Sequence, residues 1–369
     1  MGGVSVPLRR DAARVGILLN LLYIVRSFGP VGGMERYVFE TAREMVRRGH
    51  RVHALCRTVD EASLGGTGIE VILLKPAPAT HGWQDRLVFR DAVSRFFAEH
   101  PDRAGFDIVH SHENTIEQDV STEHGPCTAH GLRRAPWKYL DPSARRNLAM
   151  EKQKFHSPHL RAVAFCARRV QDIALSAYPH LAARITQVIT PAHSYLPPTT
   201  RPPAGSRRVL GFIGRDWKRK GLPRALEVFR ALRQEDPAWE MVVAGCPRDA
   251  LSKDVLRHWP DGATLLGWTP PEDFFRRIDV LVHPARDEPF GMVIAEALTC
   301  GVPVVASDHC GCVDHLQSTG LHALSLQAPT AAWARACADA LRQPVPPLAT
   351  RTWADVAAEH ETLYARLLP

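Results

Sequence analysis

The chain has 369 residues, of which 45% are hydrophobic and 23% are charged, as is ordinary for a soluble globular protein. This length exceeds one typical hydrophobic core and indicates two domains of similar size. The eight cysteines are irregularly spaced in a chain too long for a disulfide framework, which favours a reducing cytoplasm.

The formal net charge of +7 lies entirely in the first half of the chain. Residues 1–195 contain 26 Lys and Arg against 19 Asp and Glu, whereas residues 196–369 contain 20 of each. A basic half could face anionic lipid head groups, an anionic acceptor or nucleic acid, or it could be a general solvated surface. Because no helix-turn-helix, zinc-finger or RNA-binding signature accompanies the charge, we expect no nucleic-acid partner.

The first half reads as alternating strands and helices. Val15–Val25 is an apolar run about half as long as a membrane span, so we interpret it as a buried strand rather than a signal peptide. A turn-forming loop then ends in Gly32 and Gly33, and the helical pattern Met34–Arg48 and the strand Val52–Cys56 follow. This unit is typical of parallel α/β folds. The two glycines would let the backbone approach a ligand closely, or form a plain tight turn.

Histidines cluster behind the predicted strand Asp107–His110, and His112, His124 and His130 all follow it closely. Because the strand ends of an open parallel sheet gather ligand groups, one of these histidines is a candidate for polar contact with a substrate. Their irregular spacing does not support a zinc site.

A basic and aromatic stretch, Arg133–Tyr139, comes next and holds Trp137 among three cations. It suits a membrane edge or a sugar acceptor, and it equally suits a solvated loop. Further on, Ala162–Phe165 is a predicted strand, and the Pro- and Thr-rich segment 191–203 is the predicted linker between domains.

The second half begins with a predicted strand, Arg208–Ile213, and a basic loop, G-R-D-W-K-R-K-G-L (Gly214–Leu222). Four of its nine residues are cationic, and it precedes the predicted helix Pro223–Arg233. Such a loop would lie at the carboxyl edge of a parallel sheet, where phosphates bind, although a solvated charged loop is the alternative.

The segment Glu288–Pro303, E-P-F-G-M-V-I-A-E-A-L-T-C-G-V-P, follows the predicted strand Val280–His283. It reads as a loop, a helix from Met292 to Cys300, and then the strand Val302–Ala306, with glycine and proline ending the helix. A helix N-terminus attracts anions, so a diphosphate bound there would have a carboxylate on each side, from Glu288 and Glu296. The alternative is an ordinary surface loop and core helix.

Two further features close the chain. His309, Cys310, Cys312 and His315 resemble a ligand cluster, but their intervals are too short for a usual zinc ribbon, and a glycine turn is the favoured interpretation. The pattern Thr352–Leu368 predicts an amphipathic helix.

Taken together, these segments resemble the retaining glycosyltransferases of the GT-B fold, family 4 type, over nearly the whole chain. The E-x7-E pair Glu288 and Glu296 is the most specific motif. Corroborating segments are G-P-V-G-G-M-E (Gly29–Glu35), the basic loop and the closing W-A-D-V-A-A-E-H-E-T-L-Y helix.

The resemblance implies an α/β protein of two Rossmann-like domains with the active site in the cleft between them. The N-terminal, acceptor-side domain would span 1–195, and the nucleotide-sugar domain 196–351. The closing helix, 352–368, would pack back on the first domain.

The resemblance also implies roles for individual residues. Glu288 is similar to the glutamate near the donor-sugar hydroxyls and Glu296 to the one that holds the ribose, while Arg215 and Lys220 look like the pair on the diphosphate. His124, in E-H-G, fits the sugar-contacting histidine better than His130. The remaining implied donor-binding positions are Gly32, Gly33, Gly214, Phe290, Gly291, Met292 and Val293, and positions around Cys246, Gly267 and Trp268 would select the donor.

The expected reaction is metal-independent transfer of a sugar from a nucleotide-diphosphate sugar, UDP-linked, with retention of configuration. No Asp-x-Asp motif occurs, so no metal and no cofactor beyond the nucleotide-sugar co-substrate is expected. C-G-C (Cys310–Cys312) stands where the family has a glycine pair, closer to transferases of the lipopolysaccharide core. With the basic first half, this suggests a cell-envelope glycolipid acceptor and a cytoplasmic enzyme that contacts the inner face of the plasma membrane.

One departure from the family lies at Thr190–Tyr195, where T-P-A-H-S-Y replaces the usual asparagine-glycine. Two other classes share the fold: a nucleotide-sugar epimerase, against which E-x7-E and R-x4-K argue, and a non-catalytic nucleotide-sugar-binding protein.

Overall fold

The computed structural model describes residues 17–75, 83–193, 208–342 and 345–369. Most of the predicted linker 191–203 lies outside them. The chain forms two compact units, one of Met1–Ser121, Ala149–Val163 and Ala357–Pro369, the other of Thr122–Leu148 and Ala164–Val356. The division at residue 195 stays a prediction.

Strands and helices alternate along the first half of the chain. In order they are β1 (Asn20–Ile24), β2 (Ser27–Phe28), α1 (Gly33–Arg47), β3 (Arg51–Cys56), β4 (Thr58–Val59), α2 (Glu61–Leu64), β5 (Glu70–Leu73), α3 (Trp83–Glu99), β6 (Ile108–Ser111), β7 (Val120–Glu123), α4 (Thr128–Arg134), α5 (Pro142–Phe155), β8 (Ala162–Phe165), α6 (Arg168–Ala177) and β9 (Ile185–Val188).

The second half continues the alternation. It contains β10 (Val209–Ile213), α7 (Trp217–Lys220), α8 (Leu222–Glu235), β11 (Glu240–Ala244), α9 (Lys253–Arg257), β12 (Ala263–Gly267), α10 (Pro271–Phe275), β13 (Val280–His283), α11 (Met292–Thr299), β14 (Val304–Ser307), β15 (Leu321–Leu324), α12 (Thr330–Ala340) and α13 (Trp353–Ala365). No helix among the described residues is both long enough and apolar enough to cross a bilayer.

Two parallel sheets confirm the predicted α/β class. The first has the order β5-β3-β1-β6-β7-β8-β9 and the second the order β12-β11-β10-β13-β14-β15. In the second sheet the strand order reverses at β10, which pairs with β11 on one side and β13 on the other. Ligands of open α/β sheets bind outside the carboxyl ends of the strands at such a reversal. The loops after β10 and β13 are therefore the expected ligand-binding loops of this sheet.

Large apolar side chains hold helices against the second sheet. Phe212 and Val243 of the strands pack with Phe229 of α8 and Trp333 of α12 in one buried cluster. Their burial fixes α8 and α12 on the sheet, at about 1.5–3 kcal/mol for each fully buried side chain.

The C-terminal helix α13 is held in the first unit by a buried network of tyrosines and histidines. The hydroxyl groups of Tyr23 on β1 and Tyr364 on α13 lie 3.0 Å apart. The Tyr364 hydroxyl is 2.6 Å from Nδ1 of His110, and Tyr37 on α1 bonds to Nε2 of His360 at 2.9 Å. All five side chains are buried, so these hydrogen bonds are shielded from water.

Candidate active site

The basic loop after β10 contains a single helical turn, α7, which the sequence analysis did not predict. Asp216 caps it, since its Oδ1 accepts a hydrogen bond from the Arg219 amide at 3.3 Å. Gly221 ends the turn with φ of +84°, and a Cβ there would lie 2.1 Å from the carbonyl oxygen of Pro284. Only glycine permits that approach, so the loop lies directly on the chain that leaves β13.

This arrangement brings Lys220 and Arg219 to Glu288. Lys220 Nζ donates to Glu288 Oε2 at 2.9 Å, and Arg219 Nη1 is 3.5 Å from the same oxygen. A Cβ on Gly214 would lie 2.2 Å from Lys220 Cδ, so the absence of a side chain there makes room for the lysine stem. The carboxylate and the lysine are both largely buried, with 10% and 17% of their side chains exposed.

The backbone fixes the position of Glu288. Its amide donates to the carbonyl oxygen of His309 at 3.2 Å, and its carbonyl oxygen accepts from the Gly311 amide at 2.9 Å. The backbone of Glu288 is therefore held by a neighbouring loop, while its carboxylate is held by the cations. Such double support preorganises a side chain for binding.

The charges of the cluster act on one another through low-dielectric surroundings. Burial alone would raise the pKa of Glu288, but the charge of Lys220, a hydrogen bond from His283 and the charge of Arg219 hold that pKa well below its usual range. Burial lowers the pKa of His283, and the nearby Lys220 lowers it further, while Glu288 opposes the shift. Glu288 is therefore an anion and His283 a neutral imidazole near neutral pH.

The helix predicted after Glu288 is present as α11, one residue shorter than expected. Gly291 caps it in the left-handed conformation, with φ of +97°. The amides of Met292 and Val293 lie in its first turn, where N–H groups have no intrahelical acceptor and attract anions. Phe290 and Glu296 are buried, and Glu288 precedes the helix start, as the E-x7-E pattern predicts.

The other donor-side positions lie at neighbouring strand ends. Gly245, after β11, donates its amide to the carbonyl oxygen of Gly267 at 2.7 Å. Cys246 is fully buried in the core of the second sheet, whereas Trp268 is exposed. Arg215 is exposed on the loop after β10. Of these positions, Trp268 and Arg215 present side chains to solvent.

His124 and His130 follow β7 and belong to the same unit as Glu288. Gly125, next to His124, packs against Pro289, where a Cβ would lie 3.7 Å from Pro289 Cγ. The E-H-G segment therefore lies beside the residue that follows Glu288. His130 lies on α4 and lines a separate cavity.

Gly32 and Gly33 lie in the first unit, at the start of α1. Gly32 is the N-cap in extended backbone, and its carbonyl oxygen accepts from the Arg36 amide at 2.8 Å. The first turn of a 15-residue helix thus begins at the predicted glycines.

The Cys and His residues at 309–315 have structural partners. Nδ1 of His309 is 2.8 Å from the carbonyl oxygen of Arg286, and Nε2 of His315 accepts from the Arg168 amide at 2.9 Å. Burial raises the pKa of Cys310 to about 12. Within the described ranges, no group of three or more His, Cys, Asp or Glu side chains is arranged to hold a metal ion.

Two residues of the cluster were not predicted as site residues. His283, the last residue of β13, is fully buried with Nε2 3.4 Å from Glu288 Oε2, and its Nδ1 has no hydrogen-bond partner in the described part of the chain. Arg219 was assigned only to the basic loop, yet its Nη1 also donates to the carbonyl oxygen of Asp287 at 2.6 Å. The available signal was a lone imidazole ending an apolar strand five residues before Glu288.

Two family models match the chain. Residues 31–188 match the model described as Glycosyltransferase Family 4, and residues 207–343 match the one described as Glycosyl transferases group 1. The chain is also similar to proteins named D-inositol 3-phosphate glycosyltransferase. That of Corynebacterium diphtheriae is 26% identical over 327 residues, covering 76% of this chain and 74% of the relative. That of Stackebrandtia nassauensis is 28% identical over 330 residues, covering 76% and 72%.

Solved structures share the fold. WaaG, described as a glycosyltransferase involved in lipopolysaccharide biosynthesis, aligns with a TM-score of 0.70 and 18% identity, covering 94% of this chain and 95% of WaaG. Anabaena Alr3699/HepE, solved in complex with UDP and glucose, aligns with a TM-score of 0.64 and 16% identity, covering 94% and 95%. Both alignments extend over both sheets.

Proposed function

The chain belongs to the glycosyltransferases of the GT-B fold, and from that premise we propose that it transfers a sugar from a UDP-linked donor to an acceptor hydroxyl with retention of configuration. The observation that carries this proposal is the buried contact of Glu288 with Lys220 and Arg219 at the end of β13. A carboxylate that could bind sugar hydroxyls thus lies beside cations that could bind a diphosphate, at the carboxyl end of β13.

The donor would lie along the strand ends of the second sheet. Glu288 accepts hydrogen bonds from the sugar hydroxyls, and Glu296 holds the ribose. The diphosphate lies between the first turn of α11, at Gly291–Val293, and the cations Arg215 and Lys220, with Phe290 and Gly214 beside it. His124 contacts the donor sugar, and His130, Cys246, Gly267 and Trp268 are the less direct positions.

The proposed chemistry follows from electrostatics. When the bond from the anomeric carbon to the diphosphate oxygen breaks, the electron pair leaves with the diphosphate, and the cations stabilise that charge. The acceptor hydroxyl attacks the same face, its oxygen bonds to the anomeric carbon, and its proton passes to the β-phosphate oxygen that has just left. This sequence balances without an enzymic nucleophile and keeps the configuration.

For the acceptor, we propose a cell-envelope glycolipid such as lipopolysaccharide core. The turn Pro136–Leu140 leaves Trp137 68% and Leu140 84% exposed, with Lys138 between them. Aromatic and basic side chains together favour an anionic membrane surface. The named relatives make a soluble inositol phosphate the second candidate acceptor.

The test is product formation with a panel of nucleotide-sugars. We expect release of free UDP that requires an added acceptor, together with a new product of unchanged anomeric configuration by NMR. Isomerisation of the donor without acceptor would instead establish an epimerase. Donor binding without either reaction, across lipid-linked and phosphorylated acceptors, would establish a binding protein.

A further inference from the structure

A cavity of about 370 Å³ lies in the second unit, walled by α4, the turn Pro136–Leu140 and the starts of α5 and α6. Its lining includes three cations, Arg134, Lys138 and Arg169, and two carboxylates, Asp141 and Asp287. A volume in this range accommodates a small hydroxylated molecule with a charged substituent.

One carboxylate of the cavity has a hydrogen-bond partner, whereas its cations form few contacts. Asp141 accepts a hydrogen bond from the Ser143 amide at 2.8 Å, at the start of α5. Neither Arg134 nor Lys138 forms an ion pair with a carboxylate of the described chain. Nε of Arg169 is buried and, among described residues, has no hydrogen-bond acceptor. The cavity therefore offers cationic side chains that can donate hydrogen bonds to an anion.

His130 adds a neutral donor or acceptor to the same wall. Burial lowers the pKa of His130, and the charges of Arg134 and Arg169 lower it further. An imidazole kept neutral beside guanidinium groups leaves the positive charge of the cavity on the three cations.

The cavity is adjacent to the proposed donor site through Asp287. Asp287 precedes Glu288, and its carbonyl oxygen accepts from Arg219. Burial raises the pKa of Asp287, and the charges of Arg169 and Arg219 oppose that rise. A molecule in the cavity would therefore approach the carboxylate that we assign to the donor sugar.

We propose that this cavity binds a phosphate group of the acceptor through Arg134, Lys138 and Arg169. Arginine forks match phosphate oxygens with paired hydrogen bonds, and lysine adds a point charge. The phosphate anchors the acceptor so that a hydroxyl of it reaches Asp287 and the sugar held by Glu288. The proposal rests on the transfer function above and specifies that the acceptor is anionic, whether its phosphate belongs to a soluble sugar phosphate or to a lipid head group.

The test measures phosphate binding apart from donor binding. The protein is first saturated with UDP, which occupies the diphosphate site, and is then titrated with inorganic phosphate by calorimetry. We expect binding in the wild type and at least tenfold weaker binding in Arg134→Ala/Arg169→Ala. Arg134→Lys/Arg169→Lys keeps the charge and should retain part of the affinity. The matched control is Arg145→Ala, which removes an exposed cation of α5 outside the cavity lining and should leave the affinity unchanged.

A second measurement identifies the source of the phosphate. Displacement of bound phosphate by vesicles of phosphatidylglycerol assigns the cavity to a lipid head group, and displacement by glucose 6-phosphate alone assigns it to a soluble sugar phosphate. Absence of phosphate binding to UDP-saturated wild type, or equal weakening in Arg145→Ala, would overturn the proposal. Failure of the wild type to bind UDP contradicts the transfer function instead.

Discussion

Replacement of Lys220 by alanine tests both the contribution of this side chain to stability and the catalytic role that we propose for it. The 2.9 Å contact between Lys220 Nζ and Glu288 Oε2 corresponds to about 6 kcal/mol of attraction at an effective dielectric constant near 20. Desolvation of both groups cancels much of that attraction. Because Arg219 and His283 remain near the carboxylate, we expect a net loss of about 2–3 kcal/mol in the free energy of unfolding, below the ~3–5 typical of an unpaired buried charge.

The effect on turnover has a different origin and should be larger. Loss of one charged group that stabilises the departing diphosphate costs about 10²- to 10³-fold in kcat. Urea unfolding measures the first quantity and UDP release under saturating donor measures the second. Lys218→Ala, in the same helical turn and exposed, is the matched control and should change both only slightly.

A double variant distinguishes the two contributions. Glu288→Gln in the Lys220→Ala background removes the carboxylate that has lost its lysine partner, so the stability lost in the single variant should be largely recovered while turnover stays low. A double variant no more stable than Lys220→Ala would refute the ion-pair argument. Turnover of Lys220→Ala no lower than that of Lys218→Ala would refute the proposed role of Lys220 on the leaving group.

Three further predictions rest on separate features. The pKa of His283 in the folded protein is lowered from 6.5, so the contribution of the neutral imidazole to stability is complete above pH 6.5 and is lost as pH falls toward the pKa of the folded state. The free energy of unfolding should therefore decline by up to about 1.4 kcal/mol per pH unit on acidification, and a rise would contradict this. Gly221→Ala should lower the free energy of unfolding, measured with urea, by more than roughly 2 kcal/mol. Gly66→Ala, also at positive φ but in open space, should lower it by about 1–2 kcal/mol. Trp137→Ser/Leu140→Ser should reduce co-sedimentation of the protein with phosphatidylglycerol vesicles by roughly tenfold or more. Unchanged co-sedimentation would exclude the turn Pro136–Leu140 as a membrane contact.

Elements with clear boundary signals are predictable from the sequence. The strand Val280–His283 has the predicted bounds. The helix after Gly291 is predictable because glycine and proline frame an apolar run, and it ends only one residue early. Helix α7 has four residues, too few to show a 3.6-residue period. Helix α10 is also short and stops at Phe275, because the chain turns there and the Asp279 amide donates to the carbonyl oxygen of Val209 at 2.8 Å beside β10.

The residues of the candidate site also fall into those that the sequence predicts and those that it does not. Glu288, Glu296 and the basic loop are recognisable by motif, because each motif lies within a few consecutive residues. The contact of Lys220 with Glu288 joins positions 68 residues apart, and only the pairing of β10 with β13 brings them together. His283 carries no pattern of its own, and its role depends on which oxygen its ring meets.

The network around Tyr364 has a consequence for synthesis of the protein. Tyr364 is translated 341 positions after Tyr23, whose hydroxyl group it contacts. At about 5–20 residues per second, on the order of 20–70 s separate the two partners. Throughout that interval the nascent β1 and α1 lack the helix that covers Tyr23 and Tyr37, and the whole second sheet is made before that helix. The unit that begins first on the ribosome is therefore completed last.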